Sequence, residues 1–183
     1  MGLDQYMYRT KRDYSIEKHF ESDYERCRDS FFKAIAEEGG GSPYDHWERF
    51  YDYWPDHAVK QIWYGRKENA IHRWFVENAQ DNEDDCRYGI VPIFVLKELH
   101  ECLGTVLDIY NDPKLKELPP EKKLRKLQKS FEKQLPTQSG FFFGTTDYDR
   151  YYIEGIQGLY DMLTKLFEDP DFEKYDYYYH SSW

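Results

Sequence analysis

The chain has 183 residues, of which 19% are aromatic, and it carries a formal net charge of −10 at pH 7. This length fits one domain with a proper hydrophobic core. The negative charge repels nucleic acid and acidic membrane surfaces, so we expect direct binding to neither. Such a surface is usually only solvated, but it can also attract a basic protein or imitate DNA to a DNA-binding enzyme.

The cysteine content and the hydropathy predict a cytoplasmic protein. Cys27, Cys86 and Cys102 are widely spaced and form no C-x-x-C pair, which is typical of a reducing compartment. No apolar run approaches the ~20 residues that span a bilayer, and the N-terminus lacks the apolar core of a signal peptide.

The first half of the chain predicts two strands and three helices. Alternation over 3–10 indicates a short strand, and an apolar stripe at three- and four-residue steps indicates a helix over 15–38, which Gly39 ends. A short aromatic helix follows over 44–54, then a second strand over 59–65 and a helix over 66–79.

The second half predicts helices and one more strand. The spacing of leucines gives a helix over 94–110, and the charged segment 111–133 gives a modest surface helix. The sequence GFFFG at 140–144 predicts a third strand, in which Phe141 and Phe143 face one side and Phe142 the other, all in the core.

The last predicted helix is capped by Thr146 or Asp147 and ends before Pro170. The resulting prediction is one α+β domain over 1–183, with a small, mostly antiparallel sheet packed by several helices. It has variable helical segments near 11–58 and 111–133 and an acidic, aromatic C-terminal tail at 168–183.

A basic helix start stands out in this acidic chain. Arg66, Asn69 and Arg73 share one helical face, Lys67 lies in the first turn, and His72 follows one turn later. Free N–H groups at a helix N-terminus, with Arg66 and Lys67, suit a phosphate or carboxylate. The alternative is a solvated helix face whose cations pair with nearby carboxylates.

The sequence gives little support to a catalytic site or a metal site. His72 fits a structural hydrogen bond better than a general base, and no two histidines share the spacing of metal ligands. The acidic loop after residue 80 lacks the spacing of a calcium loop. We therefore predict no catalytic residue, no metal and no cofactor.

A second polar group precedes the phenylalanines. Thr137, Gln138 and Ser139 follow Pro136, where their side chains either bind the polar atoms of a ligand or close a turn.

Three segments resemble an uncharacterised family of small bacteriophage and prophage proteins. They are MGLDQYMY, YGRKENAIHRWFVENAQDNEDDC and LPTQSGFFFGTTDYDRYY. Relatives carry M-G-L-D-M-Y-L, Y-W-R-K-x-N-x-I-H-x-W-F-V and L-P-T-Q-S-G-F-F-F-G, and Gly65 stands here where they usually have Trp. The resemblance covers most of the chain outside 11–58 and 111–133, and it implies a phage setting without a mechanism.

These motifs together predict a ligand pocket at one end of the sheet. The basic helix start would face the turn before the phenylalanines, between aromatic walls, and would suit a phosphorylated or nucleotide-like molecule. The predicted ligand-binding residues are Arg66, Lys67, Asn69, His72, Arg73, Thr137, Gln138 and Ser139, with Trp63, Tyr64 and Trp74 as walls.

The leading functional hypothesis is a phage accessory protein, cytoplasmic in its bacterial host, that binds a small anionic ligand and sequesters a host defence signal. Two alternatives remain open. One is an acidic inhibitor of a host protein, acting through the tail at 168–183 or by imitating nucleic acid. The other is an enzyme for a phosphorylated substrate with His72 as acid or base. A homo-oligomer is also compatible with the abundant Tyr and Trp.

Overall fold

The structure is a computed structural model, and it describes residues 2–12 and 59–183, with five single residues between these two ranges (32, 33, 36, 37 and 39). The predicted helix over 44–54 and most of the one over 15–38 lie outside the described residues. Four described residues of the predicted helix over 15–38 are helical, namely Phe32, Lys33, Ala36 and Glu37. Gly39, which follows this predicted helix, has a positive φ of 69°.

The described elements are an antiparallel sheet and a separate group of helices, as in an α+β fold. The strands are β1 (Asp4–Lys11), β2 (Val59–Arg66), β3 (Gly89–Ile90) and β4 (Tyr175–Ser182). The helices are α1 (Asn69–Ala79), α2 (Ile93–Asn111), α3 (Pro113–Lys116), α4 (Pro120–Gln134) and α5 (Arg150–Phe167), with a 3₁₀ turn at Phe172–Lys174.

The four strands form one antiparallel sheet in the order β2-β1-β4-β3, as the predicted fold class requires. Met7 of β1 lies opposite both Trp63 of β2 and Tyr179 of β4. Because side chains alternate along a strand, these three residues point to the same face of the sheet. That face packs on the helices and contains the core.

The helical layer is built around α2, which packs against α4 and α5. Its leucines and valines recur at helical spacing and are buried, as the sequence predicts. Helix α1 lies between this layer and the strands β3 and β4. Its Phe75 stacks on Tyr179 with ring centroids 4.1 Å apart.

The predicted strand at 140–144 is wrong. The Phe143 N–H donates to the Gly140 carbonyl at 3.1 Å, which closes a tight turn, and Gly144 has φ 86°. The turn buries Phe143, whereas Phe141, whose ring packs edge to face on Phe142, is 96% exposed. The glycines therefore bend the chain here instead of bounding a strand.

Strand β4 comes from the C-terminal tail, for which the sequence predicts no strand. Strand β4 lies between β1 and β3, and its Tyr177 and Tyr179 are among the most deeply buried large side chains. Their hydroxyls reach partners inside the protein, so an aromatic, Tyr-rich strand can be fully buried.

No helix in the described ranges is both long and apolar enough to cross a bilayer.

Candidate functional site

The three sequence motifs meet at one end of the sheet, around the start of β1. The Leu3 N–H donates to the Phe142 carbonyl at 3.0 Å, and the Lys67 N–H donates to the Leu3 carbonyl at 2.8 Å. Gln5 of β1 adds a side-chain bond to this junction. With its amide oriented so that both the oxygen and the nitrogen have partners, Gln5 Oε1 accepts from the Glu68 N–H at 3.0 Å. The first strand therefore holds the β2–α1 junction next to the turn at 140–144.

Asn69 ties that turn to helix α1. Its Nδ2 donates to the Phe143 carbonyl at 3.1 Å and to the Thr145 carbonyl at 2.7 Å. Its Oδ1 accepts from the Gln138 N–H at 3.1 Å. Asn69 is buried, so these bonds replace water for both segments and hold them together.

A cleft of about 700 Å³ opens between this junction and helix α5. That size is within the range of small-molecule sites. Its lining from β2, α1 and their junction comprises Trp63, Tyr64, Gly65, Arg66, Lys67, Glu68, Asn69, Ala70 and Ile71. The opposite side comprises Thr137, Gly144, Thr145, Asp147, Asp149, Tyr151, Tyr152, Glu154, Gly155, Ile156 and Gly158.

The β2–α1 side of the cleft is suited to an anion. Arg66 and Lys67 precede α1, the N-cap residue Glu68 makes no side-chain cap hydrogen bond, and the first residues of the helix line the cleft. Uncapped N–H groups and the helix dipole both favour negative charge. Lys67 itself has φ 62°, a left-handed conformation that is uncommon for a residue with a side chain.

The Trp63 ring forms a wall of the cleft next to Gly65. A Cβ on Gly65 would lie only 2.4 Å from the Trp63 ring, so that ring occupies the space beside Gly65. Tyr64 points to the other face of β2, where it packs on Tyr6 and donates to Asp4 at 2.5 Å. Trp63 therefore presents the flat apolar wall, and the half-exposed Tyr64 lies at the margin.

Helix α5 and the residues just before it form the opposite wall, which contains carboxylate side chains and the backbone of two glycines. Asp149 caps the helix by accepting from the N–H groups of Tyr151 and Tyr152 at 2.9 and 3.1 Å. Gly155 and Gly158 leave gaps on the face that lines the cleft. The cap is three and two residues beyond the predicted Thr146 and Asp147, and Asp147 is hydrogen-bonded to Thr145 instead.

Glu68 extends into the gap at Gly155. A Cβ added to Gly155 would lie 1.9 Å from Glu68 Oε2, so the carboxyl group rests directly on the α5 backbone. Burial and the nearby charge of Asp149 raise the pKa of Glu68 to about 7. In the described part of the chain, no side chain pairs with this carboxyl group. Near neutral pH it is therefore divided between its neutral and ionised forms.

His72 is placed outside the cleft, contrary to the pocket prediction. Its side chain is fully buried, with Nδ1 2.8 Å from the Tyr179 hydroxyl and Nε2 3.0 Å from Asp84 Oδ2. Burial lowers its pKa, although Asp84 acts in the opposite direction. A neutral ring that donates to Asp84 and accepts from Tyr179 satisfies all three groups, which fits the structural role.

Four other predicted residues also lie away from the cleft lining. Arg73 pairs with Glu77 on the outer side of α1 at 2.7 Å, Trp74 packs against the core, and Ser139 is exposed. Gln138 contributes its backbone N–H to Asn69 without lining the cleft. Asn69, Ala70 and Ile71 of α1 line the cleft, and the turn of the helix directs Arg73 and Trp74 away from it.

The residues that the sequence missed are mainly Glu68 and the α5 wall. Two glycines three residues apart inside a long helix were an available signal, because each destabilises a helix by about 1 kcal/mol relative to alanine. Glu68 had no such signal, since its burial against Gly155 arises from packing between distant segments. The described residues contain no group of three or more His, Cys, Asp or Glu side chains arranged to hold a metal ion.

Comparisons with protein-family models, with curated proteins and with solved structures gave no match to this chain.

Proposed function

We propose that the protein binds a small phosphorylated, nucleotide-like ligand in the cleft between the β2–α1 junction and helix α5. The observation that carries the proposal is the convergence of Arg66, Lys67 and the uncapped start of α1 with the Trp63 ring in one cavity. Each feature alone is common at protein surfaces. Their combination in a cleft of this size matches a molecule with an anionic group and a flat ring.

The anionic group would bind at the start of α1. Arg66 offers a guanidinium that is more than half exposed, so it can reorient towards a phosphate without breaking a buried contact. Its Nε is 4.0 Å from Asp4, a separation that gives only a weak ion pair. Lys67 and the N–H groups of the first turn complete the anion site.

The ring would pack against Trp63, and its polar edge would face α5. Thr137, Asp147 and Asp149 provide acceptors and a hydroxyl on that side of the cleft. A base with amino or ring N–H donors complements such acceptors, whereas a second phosphate beside them would be repelled. The proposed ligand class is therefore a nucleotide with its phosphate towards α1 and its base towards α5.

The biological role that we attach to this binding is removal of a host signalling nucleotide by a phage accessory protein. This part of the proposal rests on the resemblance of the three motifs, and the cleft supports only the ligand chemistry. Binding without turnover suffices for such a role.

The two alternative functions are less well supported by the geometry. The tail proposed to contact a host protein contains the inner strand β4, whose Tyr177 and Tyr179 are buried. The histidine that was to act as acid or base has both ring nitrogens engaged and no exposed surface.

Thermal unfolding with a nucleotide panel tests the proposal. The panel contains AMP, ADP, cyclic AMP and their guanosine counterparts. A ligand present at 100 times its Kd stabilises the folded state by about 2.7 kcal/mol, which raises Tm by about 5–10 °C for a chain of this size. Arg66→Ala should reduce the rise in Tm sharply while leaving the ligand-free Tm nearly unchanged.

Arg73→Ala is the matched control, because Arg73 lies on the same short segment but pairs with Glu77 outside the cleft. It should keep the full ligand-induced rise. No rise with any panel member, or an equal loss in both arginine variants, would overturn the proposed site.

A further inference from the structure

We propose that Glu68 is the proton-accepting group of the cleft, so that an anionic ligand binds together with a proton held on the Glu68 carboxyl group. The inference rests on the proposed function and adds to it a determinant of affinity and pH response. The proton comes from solvent, converts the carboxylate into a carboxylic acid, and returns to solvent when the ligand leaves.

The position of Glu68 is the basis of this inference. The residue stands between Lys67 and Asn69, directly at the start of α1, and its carboxyl group lies across the cleft against the Gly155 backbone. It therefore lies between the proposed phosphate position and helix α5. An ionised carboxylate there opposes any phosphate, whereas a carboxylic acid can donate a hydrogen bond to a phosphate oxygen.

The charges around Glu68 act in both directions. On its own segment the charged neighbours are Arg66 and Lys67, which favour the carboxylate. Facing it from the segment before α5 and from α5 itself are Asp147, Asp149, Tyr151, Tyr152 and Glu154. Desolvation, followed by the charge of Asp149, raises the pKa of Glu68 to about 7 in the ligand-free protein.

A bound anion moves this balance further towards the neutral acid. Its negative charge disfavours the carboxylate and its oxygens accept from the acid, so both effects raise the pKa of Glu68 again. At pH 7 about half of the ligand-free molecules are ionised, and binding should take up roughly half a proton per ligand. If only the protonated form binds, affinity falls about tenfold between pH 6 and pH 8.

The test compares wild type with Glu68→Gln, whose amide imitates the neutral acid and cannot titrate. Calorimetry with each binding member of the nucleotide panel gives Kd at pH 6 and pH 8. A phosphate monoester also titrates in this range, but its contribution is the same for both proteins. The ratio of the two Kd values should be about tenfold larger for wild type than for Glu68→Gln, which should bind more tightly at pH 8.

Glu154→Gln is the matched control. It changes a second glutamate that lines the cleft, but this one pairs with Arg150 at 2.7 Å on the surface. This variant should keep the wild-type pH dependence. Repeating the titration in buffers of different ionisation enthalpy gives the proton uptake directly, and Glu68→Gln should take up less than wild type.

The outcomes separate this inference from the proposed function. Nucleotide binding with the same pH dependence in wild type and Glu68→Gln would overturn the proton coupling and leave the binding site intact. No binding of any panel nucleotide to either protein would overturn both. Coupling that is lost equally in Glu154→Gln would show that the total acidity of the cleft, and not Glu68, sets the response.

Discussion

Asn69 Oδ1 accepts from the Gln138 backbone N–H at 3.1 Å, across 69 residues of sequence. The same side chain donates to the carbonyls of Phe143 and Thr145. One buried amide thus fixes the relative position of the two cleft walls that the sequence motifs contribute. Asn69 was predicted to bind ligand, and the structure gives it a framework role at the edge of the cleft.

Asn69→Ala should lower the free energy of unfolding by about 2–3 kcal/mol, because it removes three hydrogen bonds and leaves polar backbone groups without partners. Urea titration measures the change. Asn78→Ala is the control on the same helix, since Asn78 is exposed and its Nδ2 donates to the Trp74 carbonyl. Its effect should stay within about 0.5 kcal/mol. Equal effects of the two substitutions would mean that Asn69 does not hold the turn.

Glu68→Gln should stabilise the ligand-free protein at pH 8 and have little effect near pH 4. The folded-state pKa of Glu68 is raised to about 7 from an ordinary value of 4.5, so the folded protein binds this proton more tightly than the unfolded chain. The resulting cost to folding grows as pH rises between these values and is constant above them. Its upper limit is about 3 kcal/mol.

Urea titrations of wild type and Glu68→Gln at the two pH values measure this difference. Glu98→Gln, an exposed substitution of the same kind on α2, provides the control and should be neutral at both. A Glu68→Gln protein that is no more stable than wild type at pH 8 would contradict the buried position of the carboxyl group.

Tyr179→Phe should destabilise the protein by about 1–2 kcal/mol, because it leaves His72 Nδ1 without its hydroxyl partner in the core. The fold should persist, since the ring keeps its stacking on Phe75. Thermal or urea unfolding measures the change in stability. Tyr110→Phe, at an exposed tyrosine, is the control. A neutral Tyr179→Phe would show that the hydroxyl is not needed where the structure has it.

Gly155→Ala and Gly158→Ala should behave differently although both add a methyl group to helix α5. The new Cβ at residue 155 would overlap the Glu68 carboxyl group, whereas at residue 158 it meets nothing within 4 Å. Gly155→Ala should therefore displace Glu68 towards water and lower its pKa towards 4.5. Gly158→Ala should leave that pKa unchanged and stabilise the helix by about 0.5–1 kcal/mol.

Carbon-detected NMR titration of the glutamate carboxyl groups gives the pKa of Glu68 in both variants. Unchanged midpoints in Gly155→Ala would contradict the contact between Glu68 and the α5 backbone.

Periodicity was sufficient to predict most of the described elements. The buried leucines of α2 and the alternation in β1 and β2 carry enough signal because each pattern depends on one element and the core beneath it. The turn at 140–144 failed for a local reason. Three aromatic residues favour a strand, but the positive φ of Gly144 and the bond from Phe143 to Gly140 close the chain into a turn.

The candidate site was predictable only in part, because it is assembled from distant segments. Arg66, Lys67, Trp63 and Thr137 line the cleft as the motifs indicated. Glu68 and Gly155 belong to segments whose contact depends on how α5 packs on β2, and no local pattern encodes that packing. Arg73 lies outside the cleft lining. Helical spacing groups residues by face without telling which face meets the cleft.

Amide chemical-shift mapping by NMR tests the central claim most directly. Isotope-labelled protein is titrated with the panel nucleotide that gives the largest rise in Tm. The largest shifts should fall on residues 66–71 at the start of α1, with smaller ones at Gly144, Gly155 and Gly158 across the cleft. Saturable shifts centred on another surface, such as the exposed ring of Phe141, or no shifts at all, would contradict the assignment of this cleft as the binding site.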